Sequence, residues 1–348
     1  MENMFNNMQS LKSLDISNFD TSKVTTMSGL FQKCYSLTSL NINFRADNLF
    51  STFAMFDECR ELTSIDLSNF ITSEVMDMSN MFSYCSKLSR VEISKFDTRN
   101  VESMASMFKE CSSLTSLELS HFKTGSLTSM SYIFQNCKSL TSINLSGFDT
   151  SKVKTLFRPF QGCESLKYLD ISNFKTSQVP SLSYWFDGCK SLTSINLGNL
   201  NTDLVGDMQF MFQNCESLES IEINKIDTSN NKYFGGMFKN CKKLKSLKLN
   251  NFITTQAFSM SEMFMGCSSL TSLDISNFTT DNVKDLSYMF YGLSSLEYLD
   301  INKFNTKGCN KFTDIFEGCE KLTIKIDQEK CSTLIDHIPK YVKVEYAT

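Results

Sequence analysis

Thirteen cysteines and two histidines are the residues of this 348-residue chain whose types could carry redox, metal or nucleophilic chemistry. Their spacing argues against all three. Eleven of the cysteines, Cys34, Cys59, Cys85, Cys111, Cys137, Cys163, Cys189, Cys215, Cys241, Cys267 and Cys319, recur at a near-constant separation of 26 residues. Met8 and Leu293 fill the same place where the thiol is missing, and a position that accepts Met or Leu uses Cys as a small hydrophobe. No CxxC or Cys/His ligand spacing occurs. Parallel, co-directed thiols on neighbouring coils would also make poor disulfides. Cys309 and Cys331 lie off the column and are expected to react first. His121 and His337 stand at unrelated places in the repeat, and no nucleophilic triad, phosphate-binding loop or dinucleotide fingerprint can be assembled. The expectation is no enzyme, no metal and no cofactor.

The elements that position these residues are set by one period. Phenylalanine recurs from Phe5 and Phe31 through Phe56, Phe82, Phe108, Phe134 and Phe160 to Phe316 at 26-residue steps, with a single 25-residue step after Phe31. A fixed period of this length specifies a solenoid of stacked coils. Within a coil, Met27, Leu30, Phe31 and Cys34 fall at i, i+3, i+4 and i+7, which predicts a two-turn helix. Ser51, Asp77, Ser103 and Ser129 precede such segments as N-caps, and Gly162, Gly188, Gly266, Gly292 and Gly318 are placed to end them. A period-2 segment follows, as in Ile65/Leu67 and Leu117/Leu119, and predicts a half-buried strand. Twelve strands are expected, centred near Leu14, Leu40, Ile65, Val91, Leu117, Ile143, Leu169, Ile195, Ile221, Leu247, Leu273 and Leu299. An aromatic column (Phe70 to Phe304) and a threonine column (Thr21, Thr72 and on to Thr306) complete the coil.

The fold class is therefore α/β: a right-handed leucine-rich-repeat solenoid of about 12 coils, with a parallel β-sheet on the concave side and short helices on the convex side. Residues 1–320 form the solenoid, and 321–348, where LTIKI and YVKVEY read as terminal strands around a turn of helix at 331–338, form a C-terminal cap. Phe44–Leu49 breaks the repeat columns and predicts a distorted second coil.

The pattern LxxLxL followed by an Asn-Phe pair, in the form MFMGCSSLTSLDISNFTTDNV at 263–283, resembles the repeat of BspA-like bacterial surface proteins over residues 4–319. That resemblance implies a surface-displayed, non-catalytic array used in adhesion and in binding host proteins. The expected localisation is thus the cell surface or secreted, although Met1-Glu-Asn-Met-Phe has no basic n-region or apolar h-region. Either the natural protein is longer at this end or the first coil is frayed. The alternative is a cytosolic protein-interaction scaffold, and a third reading is a purely structural spacer.

Candidate binding residues sit on the outward face of the strands. One outward column is mostly serine, interrupted by Arg90, Tyr168 and Tyr298; the next is largely acidic, with Asp66, Glu92, Glu118, Asp170, Asp274 and Asp300. Arg and Tyr are common anchors at interfaces, though drift between repeats would also produce them. Stacked acids either form a face for a basic partner or simply solvate the strand. The candidate partner-binding set is Arg90, Glu92, Glu118, Tyr168, Asp170, Asp274, Tyr298 and Asp300. A net charge of −4 argues against a nucleic-acid partner, and no apolar run is long enough for membrane insertion. A protein ligand and a monomeric state are expected.

Overall fold

The computed structural model describes residues 1–347 except 199 and 224. The chain divides into two compact units, Met1–Gln178 and Val179–Thr348. Each is a stack of coils with strands of three or four residues on one face and turns on the other.

The first unit carries β1 (Ser13–Asp15), β2 (Ser39–Asn41), β3 (Ser64–Asp66), β4 (Arg90–Glu92), β5 (Ser116–Glu118), β6 (Ser142–Asn144) and β7 (Tyr168–Asp170). The second carries β8 (Ser194–Asn196), β9 (Ser246–Lys248), β10 (Ser272–Asp274), β11 (Tyr298–Asp300), β12 (Thr323–Ile326) and β13 (Lys343–Tyr346). Neighbouring strands run parallel and in register, for example Ile65 beside Val91 and Leu247 beside Leu273. In β3, Ile65 is buried between exposed Ser64 and Asp66, the alternation that a period of 2 requires. Eleven of the twelve expected strand centres lie in strands; residues around Ile221 form none.

The expected helices are absent. Among the described residues the only helical element is a 3-10 turn at Ile335–His337. The segment from Met78 to Cys85 is instead two successive four-residue turns, closed by Met81 N–H to Met78 O at 3.3 Å and Cys85 N–H to Phe82 O at 3.1 Å. The third residue of each turn has positive φ: Asn80 at 57° and Tyr84 at 56°, then Ser106 and Glu110 one coil on. This is the conformation a type II turn demands. Alternate amides bond across coils, as Asn80 N–H to Ala105 O at 2.8 Å and Phe82 N–H to Met107 O at 2.9 Å. Tandem four-residue turns bury their first and fourth members, so they reproduce the i, i+3, i+4, i+7 pattern of a helix. Periodicity alone cannot separate the two.

Glycine before the cysteine column does occupy the left-handed region, but in a turn rather than at a helix end. At Gly162 φ is 72°, and a Cβ would lie 2.0 Å from Asn136 Oδ1. The presumed N-caps are likewise bridge residues, with Ser51 paired to Asp77 and Asp77 to Ser103.

The core is layered. Phe56 and Phe82 stack at 5.6 Å, Phe82 and Phe108 at 5.5 Å, and in the second unit Phe186 and Phe212 at 5.3 Å. Buried Thr72 donates its hydroxyl to Asp97 O at 3.0 Å and accepts Asp97 N–H at 2.8 Å. Thr254 makes the same reciprocal pair with Thr279. The threonine column thus pairs backbone groups that would otherwise be buried unpaired. In the shortened second coil Phe44 keeps its place in the aromatic column, 5.9 Å from Phe70, and Leu49 N–H closes onto Ala46 O. At the C-terminus β11, β12 and β13 form one parallel sheet.

Candidate functional site

The cysteine column is structural, and the coordinates explain the preference for a thiol. Cys85 Sγ lies 3.1 Å from Phe56 O, Cys111 Sγ 3.1 Å from Phe82 O and Cys267 Sγ 3.0 Å from Phe238 O. Each buried thiol can donate to a turn carbonyl of the preceding coil, which Met or Leu could not do. All thirteen cysteines are unbridged and buried. Burial pushes the Cys85 and Cys111 thiols well up. Cys331, expected to be reactive, is fully buried and pushed up to about 11 by that burial, and Cys309 is only 5% exposed. Lying off the repeat column did not place either on the surface, because each packs within the end of the stack.

The strand face exposes its outward side chains, Ser64 and Asp66 in β3 and Tyr168 and Asp170 in β7. Where a strand ends in an acid, that carboxylate accepts the amide two residues on: Asp66 from Ser68 at 2.9 Å, Glu118 from Ser120 at 2.8 Å, Asp170 from Ser172 at 2.9 Å, Asp274 from Ser276 at 3.2 Å and Asp300 from Asn302 at 3.0 Å. An acid here therefore ends the strand by an Asx-type turn. The hydroxyl and amide of Ser120 hold the Glu118 carboxyl below its usual range, and those of Ser94 do so for Glu92. Such hydrogen bonds offset the repulsion of like charges stacked at strand spacing.

Two of the three expected clusters each line one cleft. Arg90, Glu92 and Glu118 line one cleft of about 290 Å³ between β4 and β5, with Val91 and Leu117 at its floor. Tyr168 and Asp170 line a second cleft of about 290 Å³ with Asn144 and Asn173, and the Tyr168 hydroxyl reaches Asp170 Oδ2 at 3.5 Å. The third group lies on β10 and β11, strands whose Cα atoms come within 8 Å of each other. Tyr298 stands beside Thr323, and Asp300 beside Lys325, a lysine the sequence reading had not placed on this face.

Sequence reasoning also missed His121. Expected on the surface, it is half-buried and its Nε2 donates to Ile93 O of the preceding coil at 3.1 Å, where another coil uses asparagine, as Asn173 Nδ2 to Leu145 O at 3.2 Å. The signal was its place in the Asn-Phe pair. Of the four lysines at 239, 242, 243 and 245, three form ion pairs: Lys239 with Glu262, Lys242 3.0 Å from Glu216 and Lys245 3.0 Å from Glu219. Among the described residues no group of three or more His, Cys, Asp or Glu is disposed to hold a metal, and no helix is long and apolar enough to cross a membrane.

One family model matches residues 1–64, 50–169, 154–271 and 236–341, nearly the whole chain. The chain belongs to the family described as Mycoplasma protein of unknown function, DUF285. No curated protein matches this DUF285 chain in sequence. Among solved structures it is similar to a leucine-rich repeat protein from Bacteroides ovatus, at 17% identity and TM-score 0.48, covering 100% of this chain and 87% of that one. It is also similar to a leucine rich cell surface protein from Faecalibacterium prausnitzii (19% identity, TM-score 0.37, 100% and 76% covered). A third is a leucine-rich repeat protein from Eubacterium ventriosum (16% identity, TM-score 0.41, 90% and 78% covered). These are likenesses of repeat architecture, and the architecture of the DUF285 chain rests on its own coils.

Proposed function

We propose that this chain is a non-enzymatic protein-binding module whose strand-lined face recognises a host or partner protein at the cell surface. The observation that carries the reading is the exposure of Tyr168 (50%) and Tyr298 (48%) at places where the repeat otherwise puts serine. Rigid aromatic side chains held half-exposed, one on the strand face of each unit, are the kind of group that anchors an interface. Residues 1–320 carry the repeat in this reading, and 321–348 close it. A second reading, a cytosolic scaffold, is favoured by thirteen unbridged cysteines, since free thiols persist in reducing compartments. Protease accessibility on intact cells separates the two locations.

The test of the binding face is capture of a partner from host or cell extract, repeated with Arg90→Ser, Tyr168→Ser and Tyr298→Ser combined. The variant should fold normally and lose at least about 2 kcal/mol of binding. Wild-type affinity in the folded variant would reject the strand face.

A further inference from the structure

We propose that the seam between β4 and β5 takes up an extended peptide strand, parallel to its neighbours, with an acidic, an aliphatic and a basic residue in succession. This deepens the strand-face reading and rests on it. The first unit's sheet is not continuous. β1 pairs with β2, β3 with β4 and β5 with β6, each in register. Between β4 and β5 there is no pairing, and no Cα of Arg90–Glu92 lies within 8 Å of one of Ser116–Glu118. Two ladder spacings amount to about 9–10 Å, the separation that one intercalated strand would require.

The edges of this seam are open to pairing. The registers of β3 with β4 and of β5 with β6 turn the Arg90, Glu92 and Leu117 backbone groups away from the seam. They leave those of Val91, Ser116 and Glu118 facing it. No backbone hydrogen bond joins Val91 or Ile93 to Ser116 or Glu118. Val91 is half-buried, as are Leu40 and Ile143 in β2 and β6, while Leu117 across the seam is 7% exposed, so Val91 supplies the apolar floor here. One end is held by His121 Nε2 on Ile93 O, and the other by the Ser112 hydroxyl on Ser86 O at 3.1 Å.

The side chains choose the guest. A strand placed in register would set one outward residue between Arg90 and Ser116, and the next outward residue between Glu92 and Glu118. Cross-strand neighbours of opposite charge are favourable and like charges are not. The first position therefore suits Asp or Glu, and the second Lys or Arg. The residue between them points inward beside Val91 and Leu117 and suits Val or Ile. Main-chain hydrogen bonds would supply affinity and the flanking charges specificity, as in strand addition at sheet edges.

The probe is a fluorescein-labelled peptide, acetyl-TEVKVT-amide, titrated against the full chain and read by fluorescence anisotropy. It should bind saturably, the charge-swapped TKVEVT at least tenfold more weakly, and a TEVKVT peptide N-methylated at its central residues should not bind. Glu92→Lys with Glu118→Lys should reverse the preference between the two peptides. Ser116→Pro, which removes one seam-facing donor and leaves the bonds to β6, should weaken TEVKVT at least tenfold; the N-methylated peptide makes the same test on the wild-type chain. Binding that survives N-methylation would overturn strand insertion while leaving a side-chain-mediated strand face intact. No binding by either peptide at millimolar concentration would overturn the inference alone, since the Arg90, Tyr168 and Tyr298 variant tests the broader reading independently.

Discussion

The hydroxyl oxygen of Tyr341 accepts the amide N–H of Gly318 at 3.1 Å and donates its own proton to Glu317 Oε2 at 3.0 Å. In the two preceding coils the same amide bonds to the backbone of the next coil, Gly266 to Tyr291 O and Gly292 to Glu317 O, both at 2.8 Å. A side-chain oxygen from the tail thus takes the place of a coil backbone. Tyr341→Phe removes it with little change of volume. The expected loss is about 0.5–1.5 kcal/mol, the net worth of a hydrogen bond. Urea unfolding followed by tryptophan fluorescence of Trp185, in the same unit, measures it; unchanged stability would mean that water serves the Gly318 amide equally well.

The phenylalanine stack should dominate stability. Phe160 is fully buried and stacks on Phe134 at 5.7 Å. Phe160→Ala should cost about 3–5 kcal/mol, the transfer and cavity terms of a buried aromatic ring. A loss under 1 kcal/mol in denaturant unfolding would show that the coils do not depend on this layer.

The thiols make a pH-dependent contribution whose sign is fixed by their burial. Cysteine in the unfolded chain ionises near 8.5, whereas Cys319 is pushed up to about 11 by burial. Between those values the unfolded state gives up protons that the folded state keeps, so stability is fully present below about 8.5 and falls as pH rises toward 11. Cys319→Ala should flatten that fall. Native-state alkylation should be slow at all thirteen positions, and rapid labelling of any of them in the folded chain would contradict their burial.

Much of the coil was legible because burial alternates strictly: Ile65 between Ser64 and Asp66, and Phe82 at its fixed interval from Phe108. The turn face was misread because Met78, Met81, Phe82 and Cys85 are inward in a helix and in tandem turns alike. The distinguishing sign lay in the positive-φ positions, but these are filled by Tyr84, Glu110 and Arg158 as readily as by glycine, so composition does not reveal them. At the candidate site the identity of Arg90, Tyr168 and Tyr298 as outward residues followed from register. The strand-ending role of Glu118 and Asp66 did not, since it depends on where a carboxylate meets an amide two residues on. The seam between β4 and β5 was equally invisible, because the sequences of paired and unpaired strands share one template.

The most direct measurement of the binding-face account is amide hydrogen exchange of the full chain with and without its captured partner. Protection should appear in the strand-face segments 89–94, 116–120, 168–172 and 298–302, while the turn-face segments 78–86 and 104–111 exchange as in the free protein. Protection confined to the turn-face segments, with the strand face unchanged, would contradict it.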